Sequence, residues 1–563
     1  MKLSIVVPVF NMAAGGKLEY CLDSLLEQRV AEYEIICVDD CSTDESMQIL
    51  KKYEENYPTK IRVFQTPENR KQGGARNYGM QYALGEWIGF FDSDDFAAED
   101  MYEKLLKKAE ETGADVVGCQ YQITDKQSKE PGRIVINNTA EQTGVLGVEQ
   151  YKLLMRKPGS MVIKIYKKEV IDRYQLKFPE RVFYEDNCAA PVWMLHFKHF
   201  ELVDEPLYYY YQHEASTVHH LSRAKCEDRM TTGKMLVDWC KEAGFYEPYR
   251  AELEYRFTEL YYVNTLFSYV VSKERVQISF LKEMATGMQE EFPDFQENPY
   301  FVQAYDAEQK RLIGYHMKSS LFFLLYYRAL NGYRALKKAF IDTIPVLTGY
   351  LVLGFGFGII LKANGYGILM AFAMSLMIYA GSMQYVAIGL LTGGASLITA
   401  ALTTLMVNAR HLFYGISMLD KYKNTGKRKP YLIFALTDET YSLVCNENPD
   451  IPEKDRNNYY LFVSLFDQIY WILGSLLGAA VGSIVKFNSE GIDFALTALF
   501  LTVFLEQWLT TKNHAPAITG VVVSVVCLVI FGGDKFLIPT MLVIALLLCL
   551  YKPENKDKQG ENG

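Results

Sequence analysis

The 563-residue chain has no CxxC pair, no phosphate-binding P-loop and no long basic block. Without a P-loop, ATP hydrolysis at such a motif is not expected. A net charge of −9 with no basic run argues against nucleic acid as a partner. Ten cysteines lie scattered along the chain, Cys37 and Cys41 flanking one strand end, so reduced structural thiols and a cytosolic soluble part are expected. The opening MKLSIVVPVFN has one lysine and a short apolar run ending at Pro8, with neither an extended hydrophobic region nor a cleavage site. It reads as a first strand and not as a signal peptide.

Charge is scarce in one part only. Residues 1–340 carry 94 charged side chains, whereas 341–550 carry 25. The first part is read as a soluble α/β domain, and the second holds several apolar runs of about 20 residues, long enough to cross a bilayer. The expected divisions are an α/β domain over 1–230, a helical extension and interfacial linker over 231–340, an all-α polytopic membrane domain over 341–551 and a polar tail over 552–563.

In the first part, LSIVVPV is a continuous β-branched run, followed by helical spacing at Leu18, Cys21, Leu22, Leu25 and Leu26. EIICVDD is a second buried run, STDES opens a helix with Ser42 or Thr43 as N-cap, and IRVFQ is a third strand. This alternation predicts a parallel, doubly wound sheet with ligands at its carboxyl edge. There Asp39 and Asp40 can accept hydrogen bonds from a base or a ribose. Gly73-Gly74-Ala75-Arg76-Asn77 predicts a loop whose glycines admit a phosphate, with Arg76 opening the next helix where anions are favoured. WIGFFDSDD, residues 87–95, is a buried strand that ends in three carboxylates. Burying them calls for a cation, and Asp92-x-Asp94 suits an oxygen-ligated Mg²⁺ or Mn²⁺ shared with a diphosphate. An ordinary acidic turn is the alternative.

VVPVFN, VDDCSTD, GGARNYG and DSDD, in that order, resemble the signatures of family 2 glycosyltransferases, over about residues 1–230. The resemblance implies a GT-A nucleotide-sugar-binding fold. It also implies donor contacts at Pro8, Asp39 or Asp40, Arg76 and Asp92, and metal contacts at Asp92 and Asp94. Phe10 stands where a Tyr is usual and Cys41 where a Gly is usual. In FYEDN the matching acid pair implies Asp186 as the base, with Glu185 as second choice; the alternative is a helix N-terminal acid favoured by the dipole. Tyr208 to Tyr211, with His213 and Ser216, resemble the family's segment near the diphosphate and make His213 a candidate donor contact. The expected reaction is a single displacement with inversion, Asp186 taking the acceptor hydroxyl's proton.

From 231 to 340 the spacing is helical, with Tyr261, Tyr262, Leu266, Phe267 and Tyr269 on an aromatic-rich helix. SLFFLLYYRALNGYRALKKAF reads either as an interfacial helix leading into the bilayer or as an amphipathic helix packed on the first domain. Its positive charges put the first part in the cytoplasm. Candidate spans are 343–362, 366–392, 394–419, 460–485, 493–510, 515–531 and 533–550, with a weaker one at 431–446. Asn408, Arg410, His411, Asp438 and Glu439 interrupt apolar stretches. A charged group there costs on the order of 2.5–3.5 kcal/mol on insertion scales, so such residues face a pathway or each other. The basic loop Lys421 to Lys429 demands an even number of crossings after 343, whereas three apolar stretches are visible. Either 394–419 and 431–446 are broken or re-entrant, or the loop is external.

DTIPVLTGYLVLGFGFGI, IYAGSMQYVAIGLL, NARHLFYGISM and ALTDETYSL resemble, in order and spacing, the AzlC family of branched-chain amino-acid permeases. The resemblance implies export of branched-chain amino acids or their analogues, with a small AzlD-type membrane subunit as a partner. Gln384, Asn408, Arg410, His411, Asp438 and Glu439 are the pathway candidates. The whole is expected to be a bacterial, multi-pass inner (plasma) membrane protein. It would join metal-dependent glycosyl transfer from a nucleotide-sugar donor, onto a glycan or lipid-linked acceptor, to an amino-acid exporter. Two alternatives stay open: a permease whose soluble domain only senses a nucleotide sugar, or a transferase whose membrane part only anchors it.

Overall fold

Seven consecutive buried residues, Leu3–Val9, form β1, and seven more, Tyr33–Asp39, form β2. Such unbroken apolar runs suit parallel strands covered on both faces by helices. Between them α1, Lys17–Leu26, turns Leu18, Cys21, Leu22 and Leu25 inward. Next come α2 (Ser46–Asn56), β3 (Ile61–Gln65), α3 (Lys71–Met80) and β4 (Trp87–Phe90). These strands lie in the order β3-β2-β1-β4, all parallel. Val9 pairs with Asp39 and Val6 with Phe90, so the residues that follow all three strands emerge along one edge.

A computed structural model describes residues 1–212, 222–272, 274–423, 425–445, 451 and 455–484, then the helix at 515–531 with isolated residues around it. The side chains of 406, 409, 410 and 412 are outside the described set. Two units divide the chain, Met1–Tyr327 and Arg328–Gly563.

The sheet of the first unit is mixed and not parallel throughout. After β5 (Phe96–Ala97), α4 (Met101–Thr112), β6 (Val116–Thr124), β7 (Arg133–Val135), β8 (Gly144–Val145) and α5 (Val148–Arg156) comes β9 (Lys164–Lys167), antiparallel to β4 and β6. A parallel neighbour needs a full crossover. Here α5 ends three residues before Gly159, whose φ of 75° belongs to the left-handed region, and the chain turns straight into β9. Then α6 (Lys168–Tyr174), α7 (Glu185–Met194) and β10 (His199–Tyr211) complete the order β9-β6-β10-β5. The N-cap position of α2 is Glu45, with no side-chain cap, and not Ser42 or Thr43. Asp44 accepts from the Ser46 amide at 3.0 Å. Ser42 instead accepts from the Asn11 amide, and Asn11 Oδ1 from that of Thr43, tying the ends of β1 and β2 together.

Helices α8 (Arg223–Glu242), α9 (Arg250–Phe257), α10 (Asn264–Val271), α11 (Ile278–Glu291), α12 (Pro299–Ala304) and α13 (Ala307–Lys318) follow. The aromatic helix expected near 261 is a π-helical turn, Thr258–Val263, running into α10. Its Tyr261 and Tyr262 are buried. The 44-residue α14, Ser320–Ala363, then runs without interruption; its early residue Phe323 packs on His316 at 5.0 Å between ring centroids. That beginning packs on the preceding helix of the 231–340 extension.

In the second unit come α15 (Ile368–Met377), α16 (Gly381–Thr392), α17 (Leu397–Val407), α18 (Ala409–Ser417), α19 (Lys429–Phe434), α20 (Asp438–Val444), α21 (Arg456–Ile484) and α22 (Ala515–Phe531). Among the described residues, α14 and α21 are long and apolar enough to cross a membrane. The stretches 394–419 and 431–446 are both broken helices, at Asn408 and at 435–437. A further break, not expected, splits 366–392 at Tyr379, a non-glycine residue with φ 41°. Most of 493–510 and 533–550 lies outside the described residues.

Glycines bring α14 and α21 together. A Cβ on Gly358 would lie 2.2 Å from the Ser475 carbonyl oxygen, and one on Gly478 2.0 Å from that of Phe355. Gly354 and Gly474 are similarly close to the opposite backbone, so two GxxxG faces meet, the arrangement that lets membrane helices pack at short range.

Candidate functional site

Two carboxylates share one guanidinium where β1, β2 and β4 end. Arg76 on α3 is 3% exposed; its Nη2 donates to Asp92 at 2.7 Å and its Nη1 to Glu185 at 2.5 Å. Burial disfavours the charge, but Asp92 and Glu185 hold the guanidinium well above its ordinary range. Arg76 is thus the cation for Asp92 and Glu185. The glycines before it do not form a phosphate loop. Gly73 and Gly74 lie inside α3, and a Cβ on Gly73 would fall 2.0 Å from the Pro179 carbonyl oxygen. The smallness of Gly73 lets α3 approach the segment that leads to Glu185, while a Cβ on Gly74 would meet the Arg70 side chain.

That segment is held from several sides. Tyr184, the N-cap of α7, has φ 64°, a conformation that costs a non-glycine residue roughly 1–2 kcal/mol. Asp228 on α8 accepts from the Phe183 amide at 3.0 Å and from Lys71 at 2.6 Å. Arg229 lies over the Tyr184 ring at 4.4 Å, and Arg256 donates to Asn187 at 3.3 Å. Glu185 is consequently buried and paired, whereas Asp186 is part-exposed. Burial pushes the Asp186 carboxyl up; Arg76 pulls it down, Asp92 pushes it up again, and Arg256 opposes.

Asp39 and Asp40 part company. Asp40 is spent on the turn, accepting from Thr66 at 2.8 Å and from the Arg70 amide at 2.9 Å. Asp39 accepts from the Ser42 amide and Gln65 through Oδ2, and its buried Oδ1 has no hydrogen-bond partner. Pro8 is buried in β1 opposite Val38, and the exposed Phe10 follows it at the same edge. Asp94 is part-exposed, while Asp95 is buried and accepts from the Tyr208 hydroxyl at 2.5 Å and the Tyr211 amide at 2.8 Å. Burial, with Asp94 and Asp92 nearby, raises the Asp95 carboxyl well above the usual range. The tyrosine strand and the acidic turn are therefore bonded neighbours. His213 lies outside the described residues.

In the second unit, Gln384 is fully buried, donating to Ser375 at 3.2 Å and accepting from the Trp471 indole at 2.7 Å. Glu439 accepts from Tyr350 at 2.7 Å, and Tyr350 meets Trp471 edge-on at 5.3 Å. Asp438 shares the first turn of α20 with Glu439. Asn408 sits at the break before α18, and the His411 ring faces Tyr414, which stacks on Tyr441 of α20 at 4.6 Å. Arg410 belongs to α18, and its side chain is outside the described set. Gln384 and Glu439 are thus joined through Trp471 and Tyr350, while His411 meets α20 elsewhere.

The AzlC protein family profile matches residues 345–485, and the Glycosyl transferase family 2 profile matches residues 4–165. The branched-chain amino acid transport protein AzlC of Bacillus subtilis (strain 168) is 47% identical over 39% of this chain and 87% of its own length. An uncharacterized membrane protein of Helicobacter pylori (strain ATCC 700392 / 26695) is 44% identical over 39% of this chain and 96% of its own. The putative glycosyltransferase EpsH of Bacillus subtilis (strain 168) is 30% identical over 45% of this chain and 73% of its own. The chain joins a family 2 glycosyltransferase to an AzlC protein.

In the transferase domain, sequence reasoning missed the Arg76–Glu185 pair and the clamp formed by Asp228, Arg229 and Arg256. These contacts join residues over a hundred or several dozen positions apart, and no local pattern signals them. In the AzlC domain it missed Tyr350, Tyr379 and Asp467. For Asp467 a signal was present, an acid inside the apolar run LFVSLFDQIYWILG.

Proposed function

We propose that the transferase domain transfers a sugar from a nucleotide-sugar donor with inversion, and that the AzlC domain exports branched-chain amino acids or close analogues. The observation that carries the first reading is the split between the adjacent acids. Glu185 neutralises buried Arg76, which leaves Asp186 part-exposed and raised by burial, as a general base requires. On this reading Asp39 Oδ1 accepts from the nucleoside, because a buried carboxylate oxygen without a donor is costly until a ligand supplies one. Arg76 holds Asp92 and Glu185 in place, and its contact with the donor runs through Asp92.

The metal fits as a guest of the donor. Among the described residues no three His, Cys, Asp or Glu side chains are set to hold an ion. Asp92 and Asp94 are two part-exposed carboxylates on one turn, and Mg²⁺ or Mn²⁺ commonly takes one or two carboxylates with substrate phosphates completing the shell. When bound there, the ion would offset charge on the departing diphosphate. Asp186 takes the proton of the acceptor hydroxyl as its oxygen bonds to the anomeric carbon and the bond to the diphosphate breaks. The acceptor is a glycan or lipid-linked hydroxyl compound, and His213 contacts the donor.

The transport reading rests on the similarity to the Bacillus AzlC protein and on the buried polar groups around Gln384 and Glu439. It carries with it a plasma-membrane location, a cytoplasmic transferase domain and a small AzlD-type subunit. The divisions proposed are 1–230, 231–340, 341–551 and 552–563. In a nucleotide-sugar panel with metal present, Asp186→Asn is expected to bind donor normally and lose transfer by about 10²–10⁴-fold. Unchanged turnover in that variant would refute the assignment of the base.

A further inference from the structure

α21 carries an acid into its apolar run. Asp467 is fully buried, accepts from Thr440 Oγ1 at 2.7 Å through Oδ2, and has no hydrogen-bond partner at Oδ1. Among the described residues no cation pairs with it. Thr440 Oγ1 lies 3.0 Å from Thr437 Oγ1, which lies 2.7 Å from the Tyr350 hydroxyl, which lies 2.7 Å from Glu439 Oε2. An unbroken line of hydroxyls therefore joins the two carboxyls. Tyr379, placed by the unexpected helix break, is buried beside Tyr350 and faces both acids. The groups that face Asp467 from neighbouring elements are Thr440 and Glu439 on α20, Tyr350 on α14, Tyr431 on α19 and Tyr379 between α15 and α16.

Counting hydrogens gives this line a definite state. Its links run Asp467–Thr440, Thr440–Thr437, Thr437–Tyr350 and Tyr350–Glu439, four in all, and the hydroxyls of Thr440, Thr437 and Tyr350 supply three protons. A fourth proton on Asp467 lets every link point toward Glu439. The same proton on Glu439 lets every link point toward Asp467. We propose that Asp467 and Glu439 form a proton-binding pair within the AzlC domain, sharing one exchangeable proton through Thr440, Thr437 and Tyr350. In each transfer a carboxylic O–H breaks at one end, each hydroxyl passes its proton along, and an O–H forms at the other end. Net movement requires only water as the proton's source and sink. This deepens the export reading, on which the link to amino-acid movement rests, because buried ionisable groups in spanning helices commonly mark proton relays.

The test uses the full chain in liposomes. Infrared difference spectra between acidic and alkaline buffer are expected to show a carboxylic-acid carbonyl band that Asp467→Asn and Glu439→Gln displace or remove. Tyr350→Phe, which cuts the line and keeps both carboxyls, is expected to shift it. A wild-type spectrum without the band, or a band indifferent to all three variants, overturns the proposal whatever the transport assay gives. In parallel, leucine leaving loaded vesicles is expected to be matched by opposite proton movement, read with an enclosed pH dye and lost in Tyr350→Phe. Unchanged proton movement in that variant overturns the relay. Vesicles of the wild-type chain that release no leucine would refute the amino-acid reading alone, with the infrared result still deciding on the proton.

Discussion

Removing Arg76 would leave buried Glu185, and part-exposed Asp92 beside it, without their cation. Losing one member of such a set typically costs about 3–5 kcal/mol, so Arg76→Ala is expected to lower the denaturant midpoint of the soluble unit sharply. Arg76→Ala with Glu185→Gln should recover part of that loss, which a double-mutant cycle measures. Asp186 gives a pH prediction. Its carboxyl stands above the ordinary aspartate range, raised first by burial, and the base role proposed for it needs the ionised form. The acid limb of kcat/KM is therefore expected above the usual aspartate range. Arg256 pulls this carboxyl down, so Arg256→Gln should move the limb to still higher pH in a pH–rate profile. At Asp39 the unpartnered Oδ1 predicts that Asp39→Asn weakens nucleotide binding by roughly 1.5–3 kcal/mol, measurable by calorimetry.

The helix α3 shows how one element can be placed correctly in order and misread in purpose. Its glycines suggested a loop because glycine is rare in helices. The reason for Gly73, the Pro179 carbonyl against it, comes from about a hundred residues downstream and leaves no local trace. Gly73→Ala is expected to cost about 1–3 kcal/mol by overpacking and to slow transfer by displacing Glu185, both measurable on the full chain. Strands β1, β2 and β4 were legible because buried parallel strands demand unbroken apolar runs, and the acids at the ends of β2 and β4 mark the edge. Sheet direction beyond β4 was not, since β9 is only four residues long and its orientation follows from the turn at Gly159. In the second unit the breaks at Asn408 and 435–437 showed as polar residues in apolar stretches. The break at Tyr379 did not, because a tyrosine in a membrane stretch looks like any other aromatic.

For the molecule as a whole, the proposed transfer and export rest on separate residue sets. Asp186→Asn is expected to leave leucine efflux unchanged, and Glu439→Gln to leave transfer unchanged, when both activities are measured on one preparation. A change in the opposite activity would show that the units are coupled.

The glycine faces of α14 and α21 also bear on how the protein is made. Gly358 leaves the ribosome more than a hundred residues before Gly474. At about 5–20 residues per second, that interval lasts on the order of 6–23 s. During it the first face has no mate and can be taken by any other small-residue helix nearby. Correct assembly then depends on how quickly translation delivers α21, and slow codons between the two helices would lower the yield of functional protein without altering one residue.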